Sequence, residues 1–556
     1  MYQWAILVVA YILVTWLTDA YFMGDTWIYV NDVVKAQTLG ETFWDFGHPL
    51  WRPLGWLVAK ITSPVSHALG LDAATNVTMA LLAINWVAGL LSLALVFLLA
   101  ARFSTRKWVP YLVAATFLFS NAILNYSQTA QPYVPGIALM IFGLYTLVRS
   151  ESTAGSWRRS VLVGTALAVG VCQWLPLGLS LPAIALSPIF LFGFNKARLR
   201  ELFQVAGVCS LALLIIFVLM AINLGIQDAV AFKAWVGSSS HGVLPDAPLK
   251  AIQRMVFALA RNLVNMGNDG RLFKRYIVGD PFSPVSLSDL LRLSLWKLVL
   301  FYVFLGSVLL NLLFFKLGRR VFALVFLNAI PLLLFAVFLF ESGSIDRYLP
   351  LFPILLLALS MSLGSETSRR WNRWIASVFV AVLVVSNVGA MAKVTLDRQQ
   401  ESVALRIREL APKLRSPSRV ITVNQQDEVY AFNQNFPFNP INRYGHLGVD
   451  MLVDPGTTQI DRWKQIFATK TLALWENQGD LWITKRVKSD RPKPEWNWVE
   501  GDDPRISWQQ IHELFFQLET GDSAGGDDGF VLVLPSSANK ELLGSWAREN
   551  NAQIGH

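Results

Sequence analysis

The sequence predicts a mainly α-helical, polytopic membrane protein of about eleven transmembrane helices, followed by a soluble C-terminal α/β domain. Three observations predict this fold class. The 556 residues are 54% hydrophobic and only 15% charged, with a mean hydropathy of +0.44, outside the usual range of soluble proteins. Apolar runs of about 20 residues, the length that spans a bilayer, recur along residues 1–392. After residue 393, charged helical patterns alternate with short strand-like runs.

The first apolar run, AILVVAYILVTWL, has no basic segment before it and no clear small-residue cleavage site after it. These features indicate a retained helix rather than a signal peptide. Cys172 and Cys209 fall inside apolar runs, which is typical of small buried hydrophobic residues and not of a disulfide or a CxxC metal site. The predicted spans are centred near Val9, Leu90, Thr116, Met140, Ala168, Ala185, Leu214, Phe304, Phe326, Leu356 and Val382.

The net charge of +9 has a regular distribution along the chain, which argues against nucleic acid as the partner. Threading the spans alternately through the membrane places most loop cations on one side, which is therefore cytoplasmic, whereas loops 121–131 and 175–180 contain neither Lys nor Arg. The cytoplasmic cations are Arg102, Arg106, Lys107, Arg149, Arg158, Arg159, Lys196, Arg198, Arg200, Lys316, Arg319, Arg320, Arg369, Arg370 and Arg373.

This threading leaves three large segments on the extracytoplasmic side: residues 18–77, 225–295 and everything after 393. The first segment mixes apolar stretches such as LGWLVAKI with polar residues, which suits helices lying along the interface better than another span. We expect a protein of the bacterial inner (plasma) membrane whose active site and C-terminal domain face outward.

The C-terminal domain, residues 393–556, begins with the charged helical pattern DRQQESVALRIRELAPKLR. Its predicted strands are RVITV, TLALW, DLWITKRV and FVLVL. GDSAGGDDG reads as a turn or loop, and we expect the polar tail SWARENNAQIGH to fray.

The first polar segment that suits chemistry is FMGDTWIYVNDVV. Asp25 and Asp32 are seven residues apart, so on a helix both carboxylates lie on one face, about two turns apart, where they can share a site. The alternative is a solvated helix start, where the helix dipole favours a negative charge.

The second segment, DFGHPLWRP, carries Asp45, His48 and Arg52 close to a membrane interface. Pro49 and Pro53 restrict the backbone between them, and rigid turns hold functional groups well. The alternative is an ordinary interfacial belt of tryptophans with an arginine.

The third segment, NYSQTAQPYVPG, is an uncharged outer loop in which Gln128, Gln131 and Tyr133 suit the hydroxyls of a sugar. The alternative is structural, because Asn, Gln, Ser and Pro are the ordinary residues of a short loop.

The fourth segment, ESGSIDRYLPLFP, places Glu341, Asp346 and Arg347 at the outer mouth of two spans. Ionisable residues at the edge of a span mark substrate or ion pathways. Arg347 is the only basic residue of this stretch, and its guanidinium suits an anionic headgroup or phosphate. The alternative is an ion pair with Asp346 or Glu341 that ties helices together.

In this order and on one side of the membrane, the four segments resemble the GT-C glycosyltransferases, multi-span enzymes with polyprenyl-phosphate donors such as the protein O-mannosyltransferase and aminoarabinose transferase group. GDTWIY is similar to the acidic motif of their first loop. GHPLWRPLGWL is similar to their His-Pro-Pro-Leu segment, with Leu50 in place of the second Pro. YSQTAQPYVPGIAL is similar to a stretch that often has Arg where Gln131 stands, and DRYLPLFPILLLAL to the Arg-Tyr-x-x-Pro entry into a late helix. The resemblance covers about residues 1–392.

The resemblance implies an inverting transfer of a sugar from a polyprenyl-phosphate donor to a glycan, lipid or protein acceptor at the outer face. Asp25 would take the proton of the acceptor hydroxyl, and Arg347 and Arg52 would stabilise the lipid phosphate. No cofactor is expected. A divalent metal between Asp25 and another acid would also fit but is not indicated, since a monophosphate donor that faces cations does not require one. The implied substrate-binding residues are Asp32, Asp45, His48, Arg52, Gln128, Tyr133, Arg347 and Tyr348.

Two other classes of protein fit the same sequence in part. A lipid or polysaccharide transporter or flippase would place ionisable groups deep in its spans and show inverted repeats, whereas the polar groups here collect at one face. A non-catalytic membrane anchor for the C-terminal domain would make about eleven spans and an acidic first loop superfluous.

Overall fold

The helices and strands belong to two compact units. The first comprises Met1–Met266 and Leu295–Val394, and the second comprises Gly267–Ser294 and Thr395–His556. The computed structural model describes residues 5–18, 20, 25–36, 43–71, 73–149, 155–238, 248–266, 275–276, 284–290, 295–339, 342–400, 406, 409–414, 417–422, 447–451, 460–492 and 507–548.

The first unit is helical, and every predicted span centre lies within one of its helices. The mainly α-helical, polytopic fold is therefore confirmed. The last helix of the first unit, α17 (Arg370–Gln400), continues into the second unit. The other helices of the first unit are α1 (Ala5–Leu17), α2 (Thr26–Lys35), α3 (Trp51–Ala68), α4 (Ala73–Phe103), α5 (Val109–Leu118), α6 (Asn121–Tyr126), α7 (Tyr133–Val148), α8 (Trp157–Gln173), α9 (Leu181–Phe192), α10 (Lys196–Asn223), α11 (Ala229–Ser238), α12 (Pro248–Leu263), α14 (Trp296–Leu313), α15 (Lys316–Phe338) and α16 (Phe352–Gly364).

Length and composition decide which helices can cross a membrane, because backbone groups in hydrocarbon must be satisfied within the helix. Within the described residues, seven helical segments are long and apolar enough: Thr75–Phe103, Leu175–Phe192, Lys196–Asn223, Trp296–Leu313, Lys316–Phe338, Asp346–Gly364 and Arg370–Lys393. Three further apolar helices are shorter: Ala5–Leu17, Val109–Leu118 and Tyr133–Val148.

Helices α2 and α3 join α1 to α4. Neither is among the segments apolar enough to cross a membrane, as the mixed composition of residues 18–77 predicts. Their buried side chains pack against α4 in a core that includes Tyr29, Trp51 and Leu81. The indole nitrogen of Trp51 donates to the carbonyl of Ala130 at 3.0 Å. At Gly55 a Cβ atom would lie 2.5 Å from a methyl carbon of Leu81, so this glycine permits the close approach of α3 to α4.

The uncharged loop between α6 and α7 is an internal structural element. Asn85 of α4 is fully buried and donates to the carbonyls of Thr129 and Gln131 at 2.5 and 2.7 Å. Both acceptor residues are themselves buried, with Gln131 1% exposed. The loop is therefore fixed to α4, which sets the position of Tyr133 at the start of α7.

The second unit contains a mixed five-stranded sheet with strand order β2-β1-β3-β5-β4. β1 runs parallel to β2 and β3, whereas β5 runs antiparallel to β3 and β4. Trp463, Phe467 and Trp508 lie in its hydrophobic core. The elements are α13 (Leu287–Leu290), β1 (Ser418–Thr422), β2 (Leu447–Met451), α18 (Ile460–Glu476), β3 (Asp480–Thr484), α19 (Trp508–Phe516), β4 (Thr520–Ala524), β5 (Phe530–Val533) and α20 (Ser537–Arg548).

Three details of the second unit differ from the sequence prediction. TLALW is the end of α18 and not a strand, because the buried side chains Trp463, Phe467, Thr471 and Trp475 recur every four residues, a helical period. β2 and β4 were missed, and both are edge strands, where poor strand formers are tolerated. The predicted fraying tail begins inside α20, which buries Trp546; residues 549–556 lie outside the described residues.

Candidate functional site

An arginine between two carboxylates organises the first part of the site. Arg52 lies in the first turn of α3 and is 6% exposed. Its guanidinium contacts the carboxylate of Asp32 on α2 at 2.7 Å and that of Asp45, in the loop before α3, at 3.2 Å. The same guanidinium carbon lies 5.3 Å from the centre of the Tyr29 ring. The first two polar segments of the sequence are thus joined by one buried cation.

Asp25 occupies the N-cap position of α2, but its side chain accepts no capping hydrogen bond. The residue is exposed, in contrast to Asp45. One helical turn later, Tyr29 is 2% exposed, and burial raises the pKa of its hydroxyl well above the ordinary value. The carboxylates of Asp25, Asp45 and, more weakly, Asp346 raise the pKa of Tyr29 further, whereas Arg52 lowers it. Charges from the first, second and fourth segments therefore act on one buried ring.

His48 is held against the end of α8 by an antiparallel pair of backbone segments. The amide of Leu50 donates to the carbonyl of Cys172 at 2.9 Å, and the amide of Leu175 donates to the carbonyl of Gly47 at 3.1 Å. Between these two bonds, Nδ1 of His48 lies 3.0 Å from the carbonyl oxygen of Gln173. A carbonyl only accepts, so Nδ1 carries the proton, and Nε2 of the neutral ring is an acceptor.

The charge state of His48 follows from its surroundings. Burial is the largest influence and lowers its pKa to about 4, with Arg52 and Arg347 acting in the same direction. Asp45 and the carbonyl of Gln173 raise the pKa but do not compensate for burial. His48 is therefore neutral near pH 7.

A chain of aromatic rings connects the second, third and fourth segments. The ring of His48 lies 5.6 Å from Tyr29 and 6.3 Å from Tyr133, and Tyr133 lies 4.9 Å from Trp174, all edge-on. The guanidinium carbon of Arg347 is 6.0 Å from the centre of the Trp174 ring, within the range of a cation–π contact.

Arg347 and Asp346 form the charged end of this chain. Nη1 of Arg347 contacts a carboxylate oxygen of Asp346 at 2.9 Å, and the two side chains are 13% and 4% exposed. Asp346 also accepts a hydrogen bond from the hydroxyl of Ser344. The ion pair considered as an alternative at this segment is therefore present, beside the rings of the site.

Two predicted substrate-binding residues have contacts typical of structural roles. Gln128 donates to the carbonyl of Leu124 at 3.1 Å and lies 3.9 Å from the sulfur of Met391. Tyr348 is 1% exposed, packs in a hydrophobic core, and donates to the carbonyl of Ser342 at 2.6 Å. The other six predicted residues contact the ring cluster or the charges beside it: Asp32, Asp45, His48, Arg52, Tyr133 and Arg347. Glu341 lies outside the described residues.

Two members of the cluster were missed as site residues from the sequence. Tyr29 lies four residues after Asp25 and three before Asp32, so helical spacing could have placed it on the face of the two acids. Trp174 lies at a break between two apolar runs and carries no local signal, because its role depends on contacts with Tyr133 and Arg347 that are distant in sequence.

Within the part of the chain that the structure describes, no group of three or more His, Cys, Asp or Glu side chains has an arrangement that could hold a metal ion. Asp32 and Asp45 are instead bridged by the guanidinium of Arg52.

Comparisons with known proteins place the fold. No protein-family model matches the sequence, and no curated protein does. The crystal structure of ArnT from Cupriavidus metallidurans bound to undecaprenyl phosphate matches with a TM-score of 0.51 at 12% identity, over 97% of this chain and 99% of that chain. Apo ArnT from the same organism gives 0.50 at 12% identity, over 96% and 98%.

A third structure, the archaeal oligosaccharyltransferase AglB from Archaeoglobus fulgidus with an inhibitory peptide and a dolichol-phosphate, is 14% identical over 97% of this chain and 74% of that chain. Its TM-score of 0.46 is too low to establish a shared fold. The two ArnT structures do establish one over nearly the whole of both chains. The chain therefore has the fold of ArnT, in agreement with the multi-span fold that the sequence resemblance implies.

Proposed function

We propose that this protein is an inverting membrane glycosyltransferase that moves a sugar from a polyprenyl-phosphate donor to an acceptor hydroxyl. The observation that carries the proposal is the convergence of the acidic first loop, His48, Tyr133 and Arg347 on one cluster, in a chain with the fold of ArnT. ArnT itself has been crystallised with undecaprenyl phosphate, the kind of lipid carrier that such a donor requires.

Asp25 is the general base in this proposal. Its side chain makes no N-cap hydrogen bond, so the capping role that would explain an acid at this position is not exercised. The residue is exposed, whereas Asp45 is buried. As the acceptor oxygen bonds to the anomeric carbon, Asp25 takes the hydroxyl proton and the lipid phosphate leaves with the electron pair of the broken carbon–oxygen bond.

Arg347 is the cation for the departing phosphate. Its guanidinium carbon lies 6.0 Å from the centre of the Trp174 ring and Nη1 contacts Asp346 at 2.9 Å, so these neighbours orient a cation beside the ring cluster. Arg52, by contrast, already faces two carboxylates, so it positions those acids and does not serve as a phosphate ligand. Neutral His48 offers Nε2 as an acceptor for a donor or acceptor hydroxyl.

We place this chemistry at the outer face of a bacterial plasma membrane, and the choice of face rests on the distribution of Lys and Arg between loops. A lipid-linked donor is amphipathic, so its tail lies between helices while its headgroup remains at the surface. The sugar is transferred to a glycan, lipid or protein presented from that side.

The test compares two site variants with a matched control. Asp25→Asn removes the proton acceptor while keeping the side-chain size, so sugar transfer should fall by about a hundredfold or more while undecaprenyl phosphate binding persists. Arg347→Ala should weaken that binding. Asp228→Asn is the control, because Asp228 caps the amides of Val230 and Ala231 at 2.9 and 2.8 Å and Asn caps about as well.

Transfer is measured by mass spectrometry of lipid-linked and envelope glycans in cells that carry each variant. Binding is measured on purified protein with undecaprenyl phosphate. An Asp25→Asn protein that transfers sugar like the Asp228→Asn control would move the base to another carboxylate. Full activity with both Asp32 and Asp45 also replaced would refute the glycosyltransferase proposal.

A further inference from the structure

Helix α3 has two dissimilar faces. Trp51, Gly55 and Ala59 lie on the buried face and pack toward α2 and α4. On another face Leu57, Ile61 and Val65 recur every four residues, followed by Leu69 at the C-cap, and these side chains are 50%, 68%, 63% and 68% exposed. With 18 residues, α3 has the length of a span, yet it is not among the segments apolar enough to cross a membrane. A helix of this kind lies in the interface with its apolar stripe in the acyl region.

Beside this stripe, α2, α3 and α4 enclose a cleft of about 300 Å³. Its polar lining includes Lys60, Ser63, His67 and Asn76, and Trp56 contributes an aromatic wall. The Lys60 ammonium lies 5.7 Å from the centre of the Trp56 ring. Lys60 contributes a cation to the cleft, and none of the described lining residues is acidic.

The floor of the cleft is held in place by Asn76. Its amide oxygen accepts from the hydroxyls of Thr62 and Ser66 at 2.8 and 2.5 Å, and its amide nitrogen donates to the carbonyl of Ala59 at 2.8 Å. These bonds join α3 to α4. The backbone that carries the exposed residues Lys60 and His67 is therefore fixed, which lowers the entropic cost of binding a ligand between them.

We propose that this cleft binds the phosphate headgroup of an anionic phospholipid from the surrounding leaflet, with Lys60 as the main cation. The exposed stripe on the same helix would lie among acyl chains, so a lipid can place its headgroup in the cleft and its tails along the stripe. None of the cleft residues belongs to the cluster around Arg52 and Trp174. Because α2 lines the cleft and also carries Asp32, the bound lipid stabilises the helix that positions the acidic part of the site.

The experiment uses the full chain purified in dodecyl maltoside and titrated with phosphatidylglycerol, with bound lipid counted by native mass spectrometry. Lys60→Gln should weaken the apparent affinity by about fivefold, the effect of one cation near an anionic lipid surface. Lys233→Gln on α11 is the control, since Lys233 is also exposed in an outer segment but lines no part of the cleft.

Parallel titrations with phosphatidylcholine and with inorganic phosphate identify the source of the recognised anion. Much weaker binding of phosphatidylcholine, and no displacement of phosphatidylglycerol by millimolar phosphate, would support an anionic lipid site. Equal affinities in the Lys60→Gln and Lys233→Gln proteins, equal binding of phosphatidylcholine, or displacement by inorganic phosphate would each overturn the proposal. No readout depends on sugar transfer, so its failure leaves the proposed enzyme activity untouched.

Discussion

Replacing Arg52 by glutamine should destabilise the first unit strongly. Arg52 is buried and compensates two carboxylates, at 2.7 and 3.2 Å. Glutamine removes the positive charge and leaves Asp32 and Asp45 facing each other across the vacated position. Removing one partner of a buried ion pair typically costs about 3–5 kcal/mol, because the remaining charge is desolvated without compensation.

The expected magnitude follows from the exposure of the two acids. The Asp45 side chain is 8% exposed and bears most of the cost, whereas Asp32 is 21% exposed and is partly screened by water. We therefore expect a loss near the lower end of that range, about 3 kcal/mol. Arg158→Gln is the matched control, since Arg158 is exposed near the start of α8 and its replacement should change the free energy of unfolding by less than about 0.5 kcal/mol.

Denaturant unfolding in mixed micelles, followed by tryptophan fluorescence, measures both variants. A second variant, Arg52→Gln with Asp45→Asn, should recover part of the lost stability, because it removes one of the two uncompensated charges. If Arg52→Gln unfolds at the same denaturant concentration as Arg158→Gln, the two carboxylates do not depend on Arg52, and its role as the organiser of the site is refuted.

Three further predictions concern charge, packing and sidedness. Because the pKa of His48 is about 4 in the folded protein and about 6.5 in the unfolded chain, the free energy of unfolding should fall as the pH drops from about 6.5 to about 4. The His48→Gln variant should lose less stability in unfolding titrations over that window. Identical pH profiles of the two proteins would contradict a buried, neutral His48. Gly364→Ala should lower thermal stability because a Cβ there would lie 2.7 Å from the backbone of Ser104, whereas Gly207→Ala, with no atom within 4 Å, should not; equal melting temperatures would contradict this close approach. Protease added to sealed right-side-out vesicles should digest the chain after residue 393, and full protection would contradict the proposed outward placement.

The fold of the first unit could be predicted from the sequence because a membrane restricts the choices. A run of about 20 apolar residues in hydrocarbon must satisfy its own backbone, and the helix does so without any partner. Each predicted centre, from Val9 to Val382, therefore lies in a helix. In the second unit no such restriction applies, and TLALW could be assigned only from the longer helical period that begins at Trp463.

The charged residues of the candidate site could be predicted from the sequence, whereas residues that join it through contacts distant in sequence could not. Asp25 and Arg347 stand out in an apolar sequence because charges are rare there. Gln128 and Tyr348 looked equally suitable, but their hydrogen bonds are made to backbone carbonyls within the fold. Trp174 is recognised as a member of the site only from its contacts with Tyr133 and Arg347 in the folded structure.

The pairing between residues 47–50 and 172–175 has a consequence for exchanging parts between relatives. The bonds from Leu50 to Cys172 and from Leu175 to Gly47 keep a fixed antiparallel register, and the ring of His48 binds between them. Two segments more than a hundred residues apart therefore form one structural element that has to be exchanged together. A chimera that imports the histidine loop from another protein of this fold must import residues 172–175 with it, and a one-residue insertion in either segment would turn His48 away from its carbonyl partner.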